Sequence, residues 1–396
     1  MIAVMKENVP GSRAGARSYL DWAAAALPDV FAPDQAAASR IFANPSSQHT
    51  EGRMAREALE AARSRCAGVL GVSPEKLYFT SGGTESNALM LHSLLRRQGR
   101  GRLLYSEIEH PSVRENCLLL GKLGVPVGSI GVEKDGRVTE ETLSRALEKH
   151  PDTRFIAVMG VNNETGALAD IKALVSLLRS HQSKTGGPSI HVHSDLVQAL
   201  GKLPLDLSAW DLDSASFSAH KLGGPRGLGL LYLKSPLVPL YTGGQQERGI
   251  RPGTENTLGV LAFADLLERR ANPQTVSAQG EKARTRFKYL IGKLQRCLLV
   301  PEDRQEDDPR FSPWIIQLRV RGLPGEVMVR TLDDSGVAVS TGSACSSSSP
   351  QRPVLAAMGL DDAARLEGFR VSQGWSTDNA DIDALLAGIE KAISLL

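Results

Sequence analysis

Short apolar, β-prone segments alternate with helical segments along the first two-thirds of this chain of 396 residues. The strand-like segments lie at residues 77–80, 102–105, 125–130, 155–161, 190–194, 214–217 and 229–233. Helical periodicity is found at 52–70, 88–95, 139–149 and 170–184. Strands that alternate with helices are typical of a parallel sheet covered by helices. The pattern therefore predicts an α/β domain with a mostly parallel sheet.

The pattern changes after Gly253. The remaining segments are predicted helices at 257–270 and 276–298, a solvent loop at 301–309, a strand at 314–320, a helix at 324–333, a strand at 365–372 and a closing helix at 378–395. At roughly 150 residues per domain, the length also predicts more than one domain. We expect a large α/β domain at 18–260. Residues 261–396, together with the N-terminal residues 1–17, should form a smaller α+β domain.

The charge pattern excludes several classes of protein. The chain has 46 Lys and Arg against 44 Asp and Glu, a net charge of +2, with no basic block. No nucleic-acid or membrane partner is expected, because no basic patch is evident and no apolar run approaches the roughly 18 residues of a membrane span. The N-terminus does not read as a secretory signal, so we expect a cytoplasmic protein. Four cysteines without a CxxC pair predict reduced thiols.

Small and hydroxyl residues form a loop at 81–87, between a predicted strand and a predicted helix. Backbone N–H groups and the helix dipole at such a helix start attract an anion, and a phosphate is a reasonable ligand. A capped helix start is the alternative, with Ser81 or Thr84 as N-cap and a nearby Glu. No GxxxxGK[ST] motif is present, which argues against a nucleotide P-loop.

The run His191-Val192-His193-Ser194-Asp195 lies on a predicted strand. Alternate residues of a strand face one side, so the two histidines and Asp195 could present metal ligands, as in a metallohydrolase. The alternative is a histidine buried in the sheet with an ordinary hydrogen-bond partner.

Lys221 follows a predicted strand and precedes a Gly-Gly-Pro turn. A lysine amine held at a strand end, beside Ser and His side chains that can bind phosphate, suits an enzyme that forms a Schiff base. The alternative is a lysine exposed in a turn without such a role. Asp195 ends another predicted strand, where its carboxylate could pair with a protonated pyridine nitrogen. The loop at 81–87, Asp195 and Lys221 together describe a pyridoxal 5'-phosphate site.

The sequence resembles the cysteine desulfurases of the class V aminotransferase family, from residue 19 to the closing helix. The resemblance rests on the segments 44–49 (NPSSQH), 80–87 (TSGGTESN), 109–110 (EH), 161–166 (VNNETG), 218–221 (SAHK), 251–254 (RPGT) and 343–345 (SAC). It implies the fold type I architecture of pyridoxal phosphate enzymes: a large domain with a mostly parallel, seven-stranded sheet flanked by helices, and a smaller α+β domain.

The resemblance also implies a role for each matching residue. Lys221 would bond to the cofactor aldehyde and later move the Cα proton, while Asp195 would pair with the ring nitrogen. The other implied contacts are Gln198 with the ring hydroxyl, His110 stacked on the ring, Gly83, Thr84, Ser218 and His220 with the phosphate, Thr254 with the phosphate of the second subunit of a homodimer, and Asn162 and Arg370 with the substrate. A guanidinium binds a carboxylate through two parallel hydrogen bonds, which is why an arginine suits the substrate's α-carboxylate.

Cys345 lies in a run of small polar residues at 340–350. A thiol on such a loop is exposed and able to move, whereas Cys66, Cys117 and Cys297 read as buried apolar residues. In the family the cysteine at this position attacks the sulfur of the substrate and carries it away as a persulfide. We therefore expect Cys345 to be the sulfur-accepting nucleophile.

Three segments depart from the family pattern. Alanines at 23–26 replace an Ala-Thr-Thr segment, Ser194 and Leu196 replace small apolar neighbours of Asp195, and 373–375 (QGW) differs from the usual sequence after the substrate-binding arginine. The chain also ends at Leu396 without the longer tail that housekeeping members use to dock an iron-sulfur scaffold, so delivery of sulfur to such a scaffold is an open expectation.

The sequence therefore predicts a pyridoxal phosphate-dependent cysteine desulfurase that converts L-cysteine to L-alanine, works as a homodimer and passes sulfur from Cys345 to an acceptor protein for iron-sulfur cluster assembly or another biosynthesis. Selenocysteine lyase, or another class V lyase or aminotransferase, is the nearest alternative. A metallohydrolase and a cofactor-binding protein without turnover are more distant ones.

Overall fold

The computed structural model describes residues 17–29, 41–96, 101–187, 189–342 and 352–394. Its strands are β1 (Ser18–Tyr19), β2 (Leu77–Thr80), β3 (Arg102–Ser106), β4 (Val127–Ile130), β5 (Thr153–Ala157), β6 (His191–Asp195), β7 (Ser214–Ser218), β8 (Gly229–Leu233), β9 (Leu298–Val300), β10 (Ile315–Arg319), β11 (Val337–Ala338) and β12 (Gly368–Ser372). Its α-helices are α1 (Thr50–Leu70), α2 (Gly83–His92), α3 (Pro111–Lys122), α4 (Glu140–Lys149), α5 (Ile171–Thr185), α6 (Thr257–Arg270), α7 (Pro273–Lys293), α8 (Gly325–Asp334), α9 (Pro353–Ala357), α10 (Asp362–Glu367) and α11 (Asn379–Ile393).

Seven strands form the central sheet, in the order β2-β8-β7-β6-β5-β3-β4. Strand β8 runs antiparallel to both of its neighbours, and the other pairings are parallel. Apolar clusters cover both faces of the sheet. The predicted α/β architecture with a mostly parallel, seven-stranded sheet is confirmed.

The carboxyl ends of β2, β6 and β7 lie at the same edge of this sheet because the three strands are parallel to one another. Strand β2 leads into the start of α2, β6 ends at Asp195, and β7 leads into a short 3₁₀ turn that carries Lys221. In open α/β sheets this is the edge at which ligands bind.

A second, smaller sheet is antiparallel, in the order β12-β10-β9, and it has its own apolar core. The N-terminal strand β1 pairs with β11 and not with the large sheet, and Asp21 then bridges to Ser372 at the end of β12. The segment at 20–24 therefore connects the small sheet with the edge of the large one. The domain division at residue 260 stays a prediction.

Several predicted boundaries are wrong, and the predicted strand at 155–161 is one of them, because it ends at Ala157. The predicted helix at 276–298 ends at Lys293, because Leu298 instead pairs with Arg319 in the small sheet. The predicted strand at 365–372 is a short helix up to Glu367, capped by the Asp361 side chain, and only the residues from Gly368 are extended. Helix α2 begins five residues before the predicted start at 88. Within the described residues, no helix is both long and apolar enough to cross a membrane.

A buried ion pair joins α1 to the loop after β8. Arg63 donates to both carboxylate oxygens of Glu247, at 2.7 and 2.8 Å, and to the carbonyl of Leu77 at 2.9 Å. The same carboxylate accepts the backbone N–H of Phe79 in β2. The pair therefore holds α1, β2 and this loop together.

We expect Arg63→Ala to lower the free energy of unfolding by about 3–5 kcal/mol, because it leaves the buried Glu247 carboxylate without its partner. The matched control is Arg65→Ala on the same helix, which removes exposed pairs with Asp265 and Glu268 and should cost at most about 1 kcal/mol. Urea denaturation of both variants measures the difference, and equal losses would contradict the role of the buried pair.

Candidate active site

A cavity of about 240 Å³ opens at the carboxyl edge of the large sheet. It is lined by Ala23, Ala24, Gly83, Thr84, His110, Ser112, Met159, Asn163, Asp195, Val197, Gln198, Ser218, His220, Lys221 and Arg370. The structure thus brings together most of the site residues that the sequence predicts, from four strand ends of the large domain and from β12 of the small sheet.

The start of α2 forms one end of the cavity. Its N-cap is Gly82, at φ 152°, and no side chain caps the first turn. The Glu85 carboxylate accepts the N–H of Ser81 and does not cap the helix as a Ser81 or Thr84 capping box would. The uncapped N–H groups and the helix dipole are therefore available to an anion in the adjoining opening.

Ser218 and His220 also line this anion opening. The Ser218 Oγ is 2.8 Å from His220 Nδ1. Burial lowers the pKa of His220 to about 4, and the positive charges of Lys221 and Arg226 add to this effect. The ring is neutral at pH 7 and can donate from its other nitrogen. The exposed Arg226 also lines the opening; sequence reasoning missed it, although it directly follows the Gly-Gly-Pro turn.

The Lys221 amine lies against the N-terminal segment. Its Nζ donates to the carbonyl of Ala23 at 2.5 Å and to that of Ala24 at 2.7 Å. Sequence reasoning missed this pair of acceptors, because backbone carbonyls leave no mark in the side-chain pattern. The alanine segment that departs from the family pattern thus contributes main-chain groups to the site.

The Asp195 carboxylate is held by two hydrogen bonds. Its Oδ2 accepts from Asn87 Nδ2 at 2.8 Å, and its Oδ1 accepts the N–H of Val197 at 3.0 Å. Asn87 Oδ1 in turn accepts from His193 Nε2 at 2.9 Å, and His193 Nδ1 lies 2.8 Å from Ser214 Oγ. Asp195 is therefore fixed in place with its carboxylate on the cavity wall.

The metal-site alternative has no support from this arrangement. His193 shares a side of β6 with Asp195, as the strand period predicts, but both of its ring nitrogens are used in hydrogen bonds. Among the residues that the structure describes, no cluster of three His, Cys, Asp or Glu side chains could hold a metal ion.

His110 caps α3, because its Nδ1 accepts the N–H of Ser112 at 3.1 Å. Burial lowers the pKa of His110, although the Asp195 carboxylate partly opposes the shift. The ring is therefore neutral at pH 7 and forms an apolar wall of the cavity, which suits a flat aromatic ligand.

Arg370 approaches the cavity from β12. Its Nη2 donates to Asp21 Oδ1 at 2.7 Å and its Nη1 to the carbonyl of Asn163 at 2.8 Å, whereas its buried Nε has no partner among the described residues. A buried guanidinium with an unused donor fits an anionic ligand group such as a carboxylate.

Asn162 does not line the cavity. Its Oδ1 accepts from the N–H groups of Glu164 and Thr165, and its Nδ2 donates to the carbonyl of Ile108. The neighbouring Asn163 lines the cavity instead. The substrate contact expected of Asn162 stays a prediction, and this arrangement gives it no support.

Thr254 is exposed and does not line the cavity of its own chain. Cys345 lies outside the described residues, so its predicted role is not tested. Burial raises the pKa of the Cys66 and Cys297 thiols to about 12 and raises the pKa of Cys117 as well, so these three side chains are not thiolates at pH 7.

The donor set fits pyridoxal phosphate. The uncapped start of α2 offers amides to a phosphate, Asp195 offers a carboxylate to a ring nitrogen, and the Lys221 amine can reach an aldehyde. The orphaned Nε of Arg370 remains for a substrate carboxylate.

Comparisons with known proteins point to one family. The family model for aminotransferase class V matches residues 18–385. A NifS/IcsS protein homolog of Lactobacillus delbrueckii is 37% identical over 89% of this chain and 90% of its own. An IscS-like cysteine desulfurase of Mycobacterium tuberculosis is 34% identical over 95% and 96%, respectively.

Solved structures show the same fold. A NifS-like protein superposes with a TM-score of 0.84, at 29% identity, and the match covers 96% of this chain and 100% of that one. SspA in complex with cysteine superposes with a TM-score of 0.74, at 30% identity, over 90% and 98%.

The buried His193 predicts a pH dependence of stability. Burial lowers its pKa to about 3, whereas a histidine in the unfolded chain has a pKa of about 6.5. Between these values only the unfolded chain binds the proton, so stability is lost as the pH falls below 6.5. We expect wild type to lose up to about 1.4 kcal/mol per pH unit more than His193→Gln in this window.

Urea denaturation at several pH values from about 7 to about 4 measures these slopes. Equal slopes for wild type and His193→Gln would show that His193 does not stay neutral in the folded protein.

Proposed function

Because the chain belongs to the class V aminotransferase family, we propose that it is a pyridoxal phosphate-dependent cysteine desulfurase, which converts L-cysteine to L-alanine and keeps the sulfur as a persulfide on Cys345. The observation that carries this proposal is the cavity in which Lys221, Asp195 and Arg370 meet the uncapped start of α2. The relatives that are named cysteine desulfurases match nearly the whole chain.

The large domain supplies the residues for the cofactor. When bound, pyridoxal phosphate supplies an electron sink for chemistry at the substrate Cα. The α2 amides, Thr84, Ser218 and His220 would bind its phosphate, Asp195 its ring nitrogen, Gln198 its ring hydroxyl and His110 one face of its ring. Fixed partners of this kind hold a ligand without reorganisation during the reaction.

Arg370 would position the substrate by its α-carboxylate. Asp21 and the Asn163 carbonyl hold the guanidinium in place, and the remaining Nε donor is buried beside the cavity. A substrate carboxylate there would bring the Cα close to the Lys221 amine, which lines the same cavity. Lys221 would take the proton from this Cα and return it later.

Cys345 would accept the sulfur. Its thiolate attacks the substrate sulfur, the bond between the substrate Cβ and this sulfur breaks, and its electron pair returns to the carbon skeleton, which takes up protons and leaves as alanine. One thiol and one cysteine thus give one persulfide and one alanine, and no external oxidant is needed. The run of small polar residues around Cys345 suits this role, because the persulfide must leave the cavity to reach an acceptor.

The identity of the partners is also part of the proposal. We propose a homodimer in which Thr254 reaches the phosphate of the other subunit, and a sulfur-acceptor protein for which an iron-sulfur scaffold is one candidate. Cys66, Cys117 and Cys297 are unpaired thiols, which suits the reducing cytoplasm as the compartment.

Alanine formation tests the role of Cys345. We expect the cofactor-loaded wild type with L-cysteine and a thiol reductant to release alanine and sulfide in equal amounts. Cys345→Ser should bind the cofactor normally and release at least about 100-fold less alanine, since it lacks the nucleophile. Cys297→Ala, which removes a buried thiol, should keep the wild-type rate.

Two outcomes would contradict the proposal. If Cys345→Ser makes alanine as fast as wild type, the chain is a lyase without a persulfide carrier, as in the selenocysteine lyase alternative. If wild type binds the cofactor but makes no alanine, the substrate is another amino acid.

Subunit complementation tests the role of Thr254. Thr254→Asp places a negative charge beside the phosphate, and Lys221→Ala removes the reactive amine, so each homodimer should be inactive. A heterodimer of the two variants contains one intact site only if Thr254 acts across subunits. Co-expressed heterodimers should therefore recover about half of the wild-type activity, whereas no recovery would mean that Thr254 acts within its own chain. An active Thr254→Asp homodimer would mean that Thr254 does not act at the site.

A further inference from the structure

Lys202 is a buried amine beside the active site. It lies in the turns that follow β6, and only 4% of its surface is exposed. Its Nζ donates to Gln198 Oε1 at 2.9 Å, the one hydrogen-bond acceptor for this amine among the described residues. It does not line the cavity, so it cannot touch a ligand there.

The surroundings of Lys202 make its burial costly. An ammonium group in a protein interior requires a partner of opposite charge or a full set of hydrogen bonds. Burial, together with the positive charges of Lys221 and Arg370, lowers the pKa of Lys202 to about 7. Its main-chain carbonyl accepts the indole N–H of Trp314, but this bond does not involve the amine. The packing therefore does not explain why an amine is present.

The contact with Lys202 fixes the orientation of the Gln198 amide. A lysine amine in its charged form is a donor only, so the group that faces it must be Oε1. The Nε2 of Gln198 then lies on the other side, where it donates to the carbonyl of Ala23 at 2.9 Å. The same carbonyl accepts from Lys221 Nζ, so the Gln198 amide ends beside the reactive amine. The Lys202 amine, a donor, and the Ala23 carbonyl, an acceptor, therefore select the same amide orientation from its two ends.

We propose that Lys202 is a positioning residue of the cofactor site, which holds Gln198 so that its Nε2, a hydrogen-bond donor, faces the cavity. The inference rests on the proposed function, in which the ring hydroxyl of pyridoxal phosphate, as an oxygen anion, lies beside Gln198. An anion there requires a donor, and the opposite amide orientation would turn a carbonyl oxygen toward it. Lys202 thus acts on the cofactor through Gln198.

A double-mutant cycle tests this proposal. Lys202→Met keeps an unbranched side chain that is one atom shorter and removes its donor, and Gln198→Ala removes the amide. Titration of the cofactor-free protein with pyridoxal phosphate gives a dissociation constant and the position of the visible absorbance band. Each single variant should bind the cofactor about tenfold more weakly than wild type and shift the band, as expected for one lost hydrogen bond.

The double variant shows whether Lys202 acts on the cofactor through Gln198. Lys202→Met should change neither the affinity nor the band in the Gln198→Ala background, because the residue through which it acts is gone. Losses that multiply, or an unchanged affinity of Lys202→Met, overturn the inference and leave the proposed function intact. A wild type that takes up no pyridoxal phosphate overturns both. Arg63→Ala is the control for lowered stability, and it should leave the band in place.

A second variant tests the same contact without a change at Lys202, in case Lys202→Met does not fold. Gln198→Glu supplies the buried amine with a carboxylate partner and also turns a carboxylate oxygen toward the cavity. Gln198→Leu is the matched variant, because both substitutions lose the bond to the Ala23 carbonyl and only the carboxylate can pair with Lys202. We expect cofactor-free Gln198→Glu to melt at a higher temperature than Gln198→Leu and to bind the cofactor at least about 30-fold more weakly than wild type. A melting temperature of Gln198→Glu at or below that of Gln198→Leu would show that Lys202 does not face Gln198 as a cation, and would overturn the inference.

Discussion

Parallel strands direct their carboxyl ends to the same edge of a sheet, and the cavity in the large domain depends on this constraint. Strand β6 brings Asp195 to this edge, β7 brings the turn with Lys221, and β2 leads into the uncapped start of α2. These groups are far apart in the chain, but the register of neighbouring strands fixes the distances between them. The small sheet then closes the cavity with one residue, Arg370.

The charges around the cavity favour anionic ligands. Three histidines near it, His110, His193 and His220, have pKa values lowered by burial and add no charge at pH 7. The positive charge comes from Lys221 and Arg370, with the buried amine of Lys202 behind them. A phosphate and a substrate carboxylate are the anionic groups that the proposed reaction brings to these cations.

The departures from the family pattern are explained by packing. Ser194 Oγ donates to the carbonyl of Val158 inside the sheet. A Cβ on Gly374 would lie about 2 Å from the Trp22 ring, so the glycine leaves the space that this ring occupies. The Gln373 amide donates to the carbonyls of Ala283 and Pro313, beneath the small sheet. These substitutions leave the cavity residues in position.

The sequence by itself determined the alternation of strands and helices, the small-residue loop before α2, and the strand face that His193 shares with Asp195, because each depends on local period and residue type. Only the tertiary structure decided that Asn87 holds Asp195, that the Ala23 carbonyl accepts from Lys221 and that Asp21 holds Arg370. These contacts join residues that lie 108, 198 and 349 positions apart. The local pattern also did not predict where α7 ends and where β12 begins, because pairing with β10 sets the first extended residues of β9 and β12. Contacts across such separations depend on chain topology and packing, so the local periodicity of the sequence does not predict them.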